Sequence, residues 1–160
     1  MVIDDISSAT STEIAAELNL APGIHAIYVL ATDTSGNTGT STAVAVEYLE
    51  RPIVISEIAW AGTSAASSSD EWLEIYNRSG YTIDLTNIRL EAVDGAPLIQ
   101  LSSVIAANSY YLIERTNDES VPGIVADLVV PFSGTSSPGL SNSGEELQLL
   151  HTMGSEMIAV

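Results

Sequence analysis

The chain has 160 residues, of which 21 are acidic and four are arginine, and it contains neither lysine nor cysteine. A formal charge of −17 at pH 7 excludes nucleic acid and anionic membranes as electrostatic partners, because like charges repel. The missing cysteine excludes disulfides, thiol catalysis and zinc–thiolate sites, and two histidines leave little imidazole chemistry, so we expect no enzyme.

The first periodic segment is Ile14–Leu20, where apolar and polar residues alternate. This alternation predicts a strand. A helix is the alternative, because Thr10 and Glu13 have the spacing of a capping box and the residues that follow are good helix formers. Pro22 and Gly23 then force a turn.

A hairpin is predicted over residues 25–48. Two alternating segments, His25–Asp33 and Thr42–Tyr48, flank a glycine-containing turn at residues 34–37. His25 is interpreted as a structural histidine that closes a strand end, since no partner motif accompanies it. The inward-facing side chains of the returning strand are predicted to be Val44, Val46 and Tyr48.

A domain boundary is predicted near Pro52, which cannot donate to a central ladder. It divides the chain into residues 1–50 and 51–160. Downstream, Ile53–Trp60 and Asp70–Asn77 are predicted strands on either side of a low-complexity loop. In the second of these strands, Leu73 and Ile75 face opposite to Trp72, Glu74 and Tyr76.

Further turn signals continue the all-β pattern to the end of the chain. Asp94-Gly95, flanked by Ile88–Val93 and Ala96–Leu101, predicts a hairpin with a type I′ turn. Tyr110–Glu114 and Glu146–Leu150 are additional strands. Short strands punctuated by Gly, Asn and Pro predict an all-β sandwich. Its aromatic residues are expected to divide between the faces for packing: Trp60, Trp72, Tyr76, Tyr110 and Tyr111.

Three sequence blocks carry a resemblance to a known family. They are Ile55-Ser-Glu-Ile58 followed by residues 70–77, Ile83–Thr86 leading into Ile88–Leu90, and Leu140–Leu147. Residues 52–160 resemble the bacterial branch of the lamin-tail domain family, which implies an immunoglobulin-like β-sandwich. Asn87-Ile88 departs from the usual Gly-Trp of the family, and the end at Val160 suggests C-terminal truncation.

The N-terminal part resembles a second family. Residues 12–49 are similar to the trailing half of a bacterial immunoglobulin-like repeat, through residues 22–33 and Gly36-Asn37. The resemblance implies a partial immunoglobulin-like sheet before the lamin-tail sandwich, and it favours the strand over the helix at residues 12–19. Three strands alone leave one apolar face open to water.

One group of carboxylates is a candidate metal site: Glu57, Asp70, Glu71 and Glu74. Carboxylates on adjacent strands supply the hard oxygen ligands that Ca²⁺ prefers. The alternative is that Glu57 and Glu74 lean inward and accept hydrogen bonds, while Asp70 and Glu71 are solvated. No cofactor other than this calcium is expected.

We expect a non-catalytic structural or protein-binding module of a larger secreted or cell-surface bacterial protein. Abundant serine and threonine without lysine or cysteine favour an extracellular location, although no signal peptide begins the chain. Its partner is a protein or cell-surface component met at exposed strand edges, with no membrane insertion. The alternatives are a calcium-stabilised adhesion module or, as the family resemblance implies, the accessory region of a secreted hydrolase or nuclease.

Overall fold

The structure, a computed structural model, describes residues 15–64, 66–134, 139–153 and 156–159. These residues form fourteen strands and no helix, which confirms the all-β prediction. Consequently, no helix in the described part of the chain is long and apolar enough to cross a membrane. The chain divides into two units, Met1–Glu50 and Arg51–Val160.

The described part of the first unit is a long, interrupted hairpin. Its strands are β1 (Gly23–Ile27), β2 (Leu30–Thr32), β3 (Thr38–Thr40) and β4 (Val44–Tyr48). β1 pairs with β4 and β2 pairs with β3, both antiparallel, so the predicted hairpin is confirmed. The turn is held by Asp33, whose carboxylate accepts hydrogen bonds from the Asn37 side chain and from the backbone N–H groups of Ser35 and Asn37. These bonds lower the pKa of Asp33, the Asn37 side chain most of all.

Two predictions for this unit are wrong. Residues 15–21 have no regular structure, so neither the strand nor the helix forms there, and residues 10–14 lie outside the described part. Val44 and Tyr48 are 63% and 41% exposed rather than inward-facing. The reason is that the described residues of this unit form a two-stranded ribbon without a second layer to cover it. The prediction for His25 is confirmed, since its Nε2 lies 2.7 Å from the Ala21 carbonyl oxygen.

The second unit is a β-sandwich of two four-stranded sheets. One sheet has the order β12-β11-β6-β5 and the other β14-β13-β8-β9, and β10 and β7 form a separate ribbon. All neighbours are antiparallel except β11 and β12, which are parallel. The strands are β5 (Ile53–Ala59), β6 (Trp72–Asn77), β7 (Ile83–Asp84), β8 (Ile88–Ala92), β9 (Leu98–Gln100), β10 (Val104–Ile105), β11 (Tyr110–Glu114), β12 (Leu128–Val129), β13 (Leu147–Met153) and β14 (Glu156–Ala159).

The core lies between these two sheets. Leu73 and Ile75 on β6 are fully buried, whereas the alternate residues of β6 are half-buried, as the period-two pattern predicted. Leu90 and Leu149 belong to the same cluster from the opposite sheet. Each such side chain contributes about 1.5–3 kcal/mol by leaving water. The sandwich is therefore stabilised by apolar burial in the way its alternation indicates.

The predicted hairpin at Asp94-Gly95 forms, but its turn is not type I′. A type I′ turn needs positive φ at both central residues, and here Gly95 has φ of 100° while Asp94 has a negative φ. β8 ends at Ala92, whose N–H donates to the Pro97 carbonyl oxygen at 2.8 Å. The Leu98 N–H donates to Ser133 at 2.7 Å. This bond joins the first residue of β9 to a segment outside the hairpin, and β9 begins three residues after Gly95.

Candidate functional site

A cleft of about 420 Å³ opens where the end of β5 meets the segment 140–147. Ile58, Trp60, Leu140 and Leu147 give it apolar walls, and the residues 141–145 form a polar rim. Ile58 is 41% exposed and Trp60 is 52% exposed. A volume of this size lies in the range of sites that bind small molecules.

The rim of the cleft is anchored by a buried ion pair. Glu71 is only 4% exposed, and one of its carboxylate oxygens accepts a hydrogen bond from Arg115 Nη1 at 3.1 Å. The other oxygen accepts from the Leu140 N–H at 2.8 Å. Gly139 packs against the pair, and a Cβ there would lie 2.5 Å from Arg115 Nη1. The start of the rim is thus fixed by residues from two other parts of the chain.

Glu145 supplies the carboxylate of the cleft. Its Oε2 accepts a hydrogen bond from the Ser141 N–H at 3.4 Å, which is long for such a bond. Burial raises the pKa of Glu145, and the carboxylates of Asp94 and Glu71 act in the same direction, although the Ser141 bond opposes them. The surroundings of Glu145 therefore disfavour the charged form of its side chain.

The strand beside the cleft, β5, is an edge strand. In the described sheet it pairs only with β6, so the backbone groups on its other side are open to a partner. A bulge between Ile55 and Glu57 interrupts the pairing at Ser56. Bulges and charged side chains at edges reduce indiscriminate strand pairing. An open edge ending in an apolar cleft is the arrangement that strand-adding peptides use.

The four predicted calcium ligands do not form one group. Glu57 and Glu74 face each other across β5 and β6, and the Ser56 hydroxyl donates to Glu74 at 2.8 Å. Asp70 accepts a hydrogen bond from the Thr63 hydroxyl at 2.8 Å, and Glu71 belongs to the ion pair. Among the described residues, no three acidic or imidazole side chains converge for a metal. Calcium binding stays an untested alternative, and a melting experiment described below tests it.

Two details of the alternative interpretation are wrong. Glu57 and Glu74 lie on the outer face of the sheet, because Leu73 and Ile75 occupy the inner one. Glu71 is buried rather than solvated, since Arg115 covers it. The hydrogen bond that Glu74 accepts was predicted, but its donor is a serine hydroxyl.

The aromatic residues divide between faces as predicted. Tyr111 is buried, and its hydroxyl donates to the Ser102 carbonyl oxygen at 2.9 Å. The rings of Tyr76 and Tyr110 pack on the outer face with centroids 4.7 Å apart. Trp60 alone among the aromatics lines the cleft, within the part of the chain that the structure describes.

Sequence reasoning missed Arg115, Leu140 and Glu145 as parts of a site. Glu71 and Leu140 are 69 residues apart in the chain, and no local motif signals their contact. The one usable signal was Gly139, which stands before a polar turn. Its φ is positive, a backbone conformation that glycine adopts readily.

The two packed sheets, the buried alternating residues and the open edge define an immunoglobulin-like β-sandwich. The family model of the lamin tail domain matches residues 48–160. The chain therefore belongs to the lamin tail domain family, whose members are structural domains that are not usually catalytic. Searches of curated proteins and of solved structures gave no match. The immunoglobulin-like repeat at residues 12–49 stays a prediction.

Proposed function

We propose that this chain is a non-catalytic module of a larger secreted or cell-surface bacterial protein, and that it binds a partner protein by pairing with an extended segment along β5. The observation that carries the proposal is the open edge of β5 running into the apolar cleft. Backbone pairing supplies affinity in this recognition mode, and the adjacent cleft supplies specificity.

Strand length distinguishes β5 from the other described edges of the sandwich. β5 has seven residues, whereas β12 has two, β9 three and β14 four. Every second residue pair of an antiparallel ladder exchanges two backbone hydrogen bonds, so a longer edge holds a partner strand more firmly. We therefore assign the binding role to β5.

The chemistry of the cleft supports a binding role over catalysis. Among its described lining residues, Glu145 is the one carboxylate. The nearby Glu71 is paired with Arg115 and does not line the cleft, so it does not supply a second carboxylate there. Acid–base hydrolysis needs two carboxylates whose environments separate their pKa values.

The test uses the whole chain, labelled with ¹⁵N and titrated with a pool of blocked hexapeptides that alternate apolar and polar residues. We expect amide shifts confined to β5 and residues 140–147, with the edge strand β9 unaffected as an internal control. Shifts on β9 instead of β5, or none at millimolar peptide, contradict the proposal. Protease treatment of intact cells tests the surface location, because a surface module is cleaved without lysis.

A further inference from the structure

We propose that the cleft at the end of β5 selects a cationic side chain, lysine or arginine, from a partner's extended segment, with Trp60 packing on its stem and Glu145 binding its charged head. This inference rests on the proposed function and specifies the chemistry of the partner at the same site. It assigns a specificity role to two residues that no sequence motif marks.

The charge of the chain favours a cationic partner. Four arginines stand against 21 acidic residues, and two of the four are already engaged, Arg89 with Glu91 at 2.6 Å and Arg115 with Glu71. No arginine lines the described cleft. Complementary charge speeds encounter and suppresses wrong partners, so an acidic segment is rejected here.

The shape of the cleft fits an amphipathic side chain. Lysine and arginine bury their aliphatic stems along apolar surface and keep the charged head at a polar rim. Ile58, Trp60 and Leu147 provide the apolar surface, and Glu145 lies on the rim. The exposed indole of Trp60 also attracts a cation to its face.

Glu145 retains capacity for such a contact. A carboxylate accepts about four hydrogen bonds, and the described contact of Glu145 is the long bond from Ser141. Burial and the neighbouring carboxylates of Asp94 and Glu71 raise the pKa of Glu145, so its charged form gains from a positive charge placed beside it. A bound ammonium or guanidinium group supplies that charge.

The experiment uses the full chain carrying Trp72→Phe, so that the fluorescence of Trp60 reports on the cleft. The probes are Ac-Val-Arg-Val-Arg-Val-NH₂ and its glutamine and glutamate counterparts, at low salt. We expect the arginine peptide to bind about tenfold more tightly than the glutamine peptide, and the preference to shrink at high salt. The glutamate peptide should not bind. If Trp72→Phe does not fold, the indole N–H signal of Trp60 in the unsubstituted chain gives the same readout.

Matched variants separate a local contact from the general acidity. Glu145→Gln should weaken the arginine peptide about fivefold, whereas Glu146→Gln, the same charge change at an exposed neighbour outside the cleft, should have little effect. Trp60→Ala should weaken it by more than about tenfold. Equal effects of the two glutamine variants overturn the inference.

The failure of this inference differs from the failure of the proposed function. Equal binding of the arginine and glutamine peptides, with amide shifts on β5, overturns cation selection but leaves strand pairing intact. No binding of either peptide to β5 overturns both.

Discussion

Glu71 and Arg115 are joined twice, by the ion pair between their side chains and by a 3.0 Å hydrogen bond from the Arg115 N–H to the Glu71 carbonyl oxygen. The residues flank β6 and β11, which are neighbours in one sheet. The Glu71 carboxylate oxygen that is not paired with Arg115 accepts a hydrogen bond from the Leu140 N–H, which holds Leu140 at the rim of the cleft. The pair therefore connects the stability of the sheet to the geometry of the candidate site.

Glu71→Ala should lower the free energy of unfolding by about 3–5 kcal/mol, because it leaves a largely buried guanidinium and the Leu140 N–H without their partner. Urea denaturation with an unchanged m-value measures the loss. The double variant Glu71→Leu with Arg115→Met should recover part of it, since no unpaired charge remains. A solvent-exposed ion pair contributes less than about 1 kcal/mol. If Glu71→Ala lowers the free energy of unfolding by no more than that, this account is contradicted.

Gly139→Ala should destabilise the chain more than Gly144→Ala does. Both glycines have positive φ, of 96° and 100°, so both variants carry backbone strain of about 1–3 kcal/mol. At Gly144 a Cβ meets open space, whereas at Gly139 it meets the Arg115 guanidinium and the Glu71 carboxylate. The difference between the two midpoints in urea isolates the contact with the ion pair. Equal midpoints for the two variants would show that the Glu71–Arg115 pair moves aside for the new Cβ without loss of stability.

The sandwich was predictable because alternation is a local signal. Leu73 and Ile75 alternate with polar or aromatic neighbours, and burial follows that alternation directly. The type of the turn at Asp94-Gly95 was mispredicted, and Leu98 at the start of β9 donates its N–H to Ser133, which lies outside the hairpin. A local pattern carries no information about such a distant partner.

The cleft was not predictable for the same reason. Its walls come from the end of β5 and from residues 140–147, which meet only after the sheets pack. The sequence did single out Glu71, but as a solvated or metal-binding group. What decides its role is Arg115, which follows β11 and lies beside Glu71 at the end of the two central strands of the sheet.

Glu57→Lys should raise the free energy of unfolding by about 0.2–1 kcal/mol. Glu57 and Glu74 are direct cross-strand partners, and like charges in that position repel. Urea denaturation at low and high salt measures the gain, which salt should reduce. Glu119→Lys makes the same charge change at an exposed position outside the sheet. If it stabilises the chain equally, the gain comes from net charge and not from the facing pair.

Millimolar calcium should leave the melting temperature unchanged. Of the four candidate ligands, Glu71 is neutralised by Arg115 and Asp70 accepts a hydrogen bond from Thr63. The remaining two provide fewer oxygens than the six to eight that Ca²⁺ takes. Thermal melting with calcium and with a chelator is the measurement, because a ligand specific to the folded state raises the midpoint. A rise that Glu57→Gln abolishes would establish the calcium-stabilised module.

Glu145→Gln should stabilise the chain at neutral pH and have no such effect in acid. The folded pKa of Glu145 is raised above its usual 4.5, chiefly by burial, so ionising it favours the unfolded chain. The stability that this raised pKa contributes is complete below pH 4.5. It is lost as the pH rises through the pKa of Glu145 in the folded chain. Urea midpoints of both proteins between pH 3.5 and 7.5 should therefore coincide at the acid end and diverge towards neutrality. Glu146→Gln is the control for the change of charge alone. If Glu145→Gln differs from the parent chain by the same amount at low pH, the amide stabilises the rim in some way other than by removing the charge.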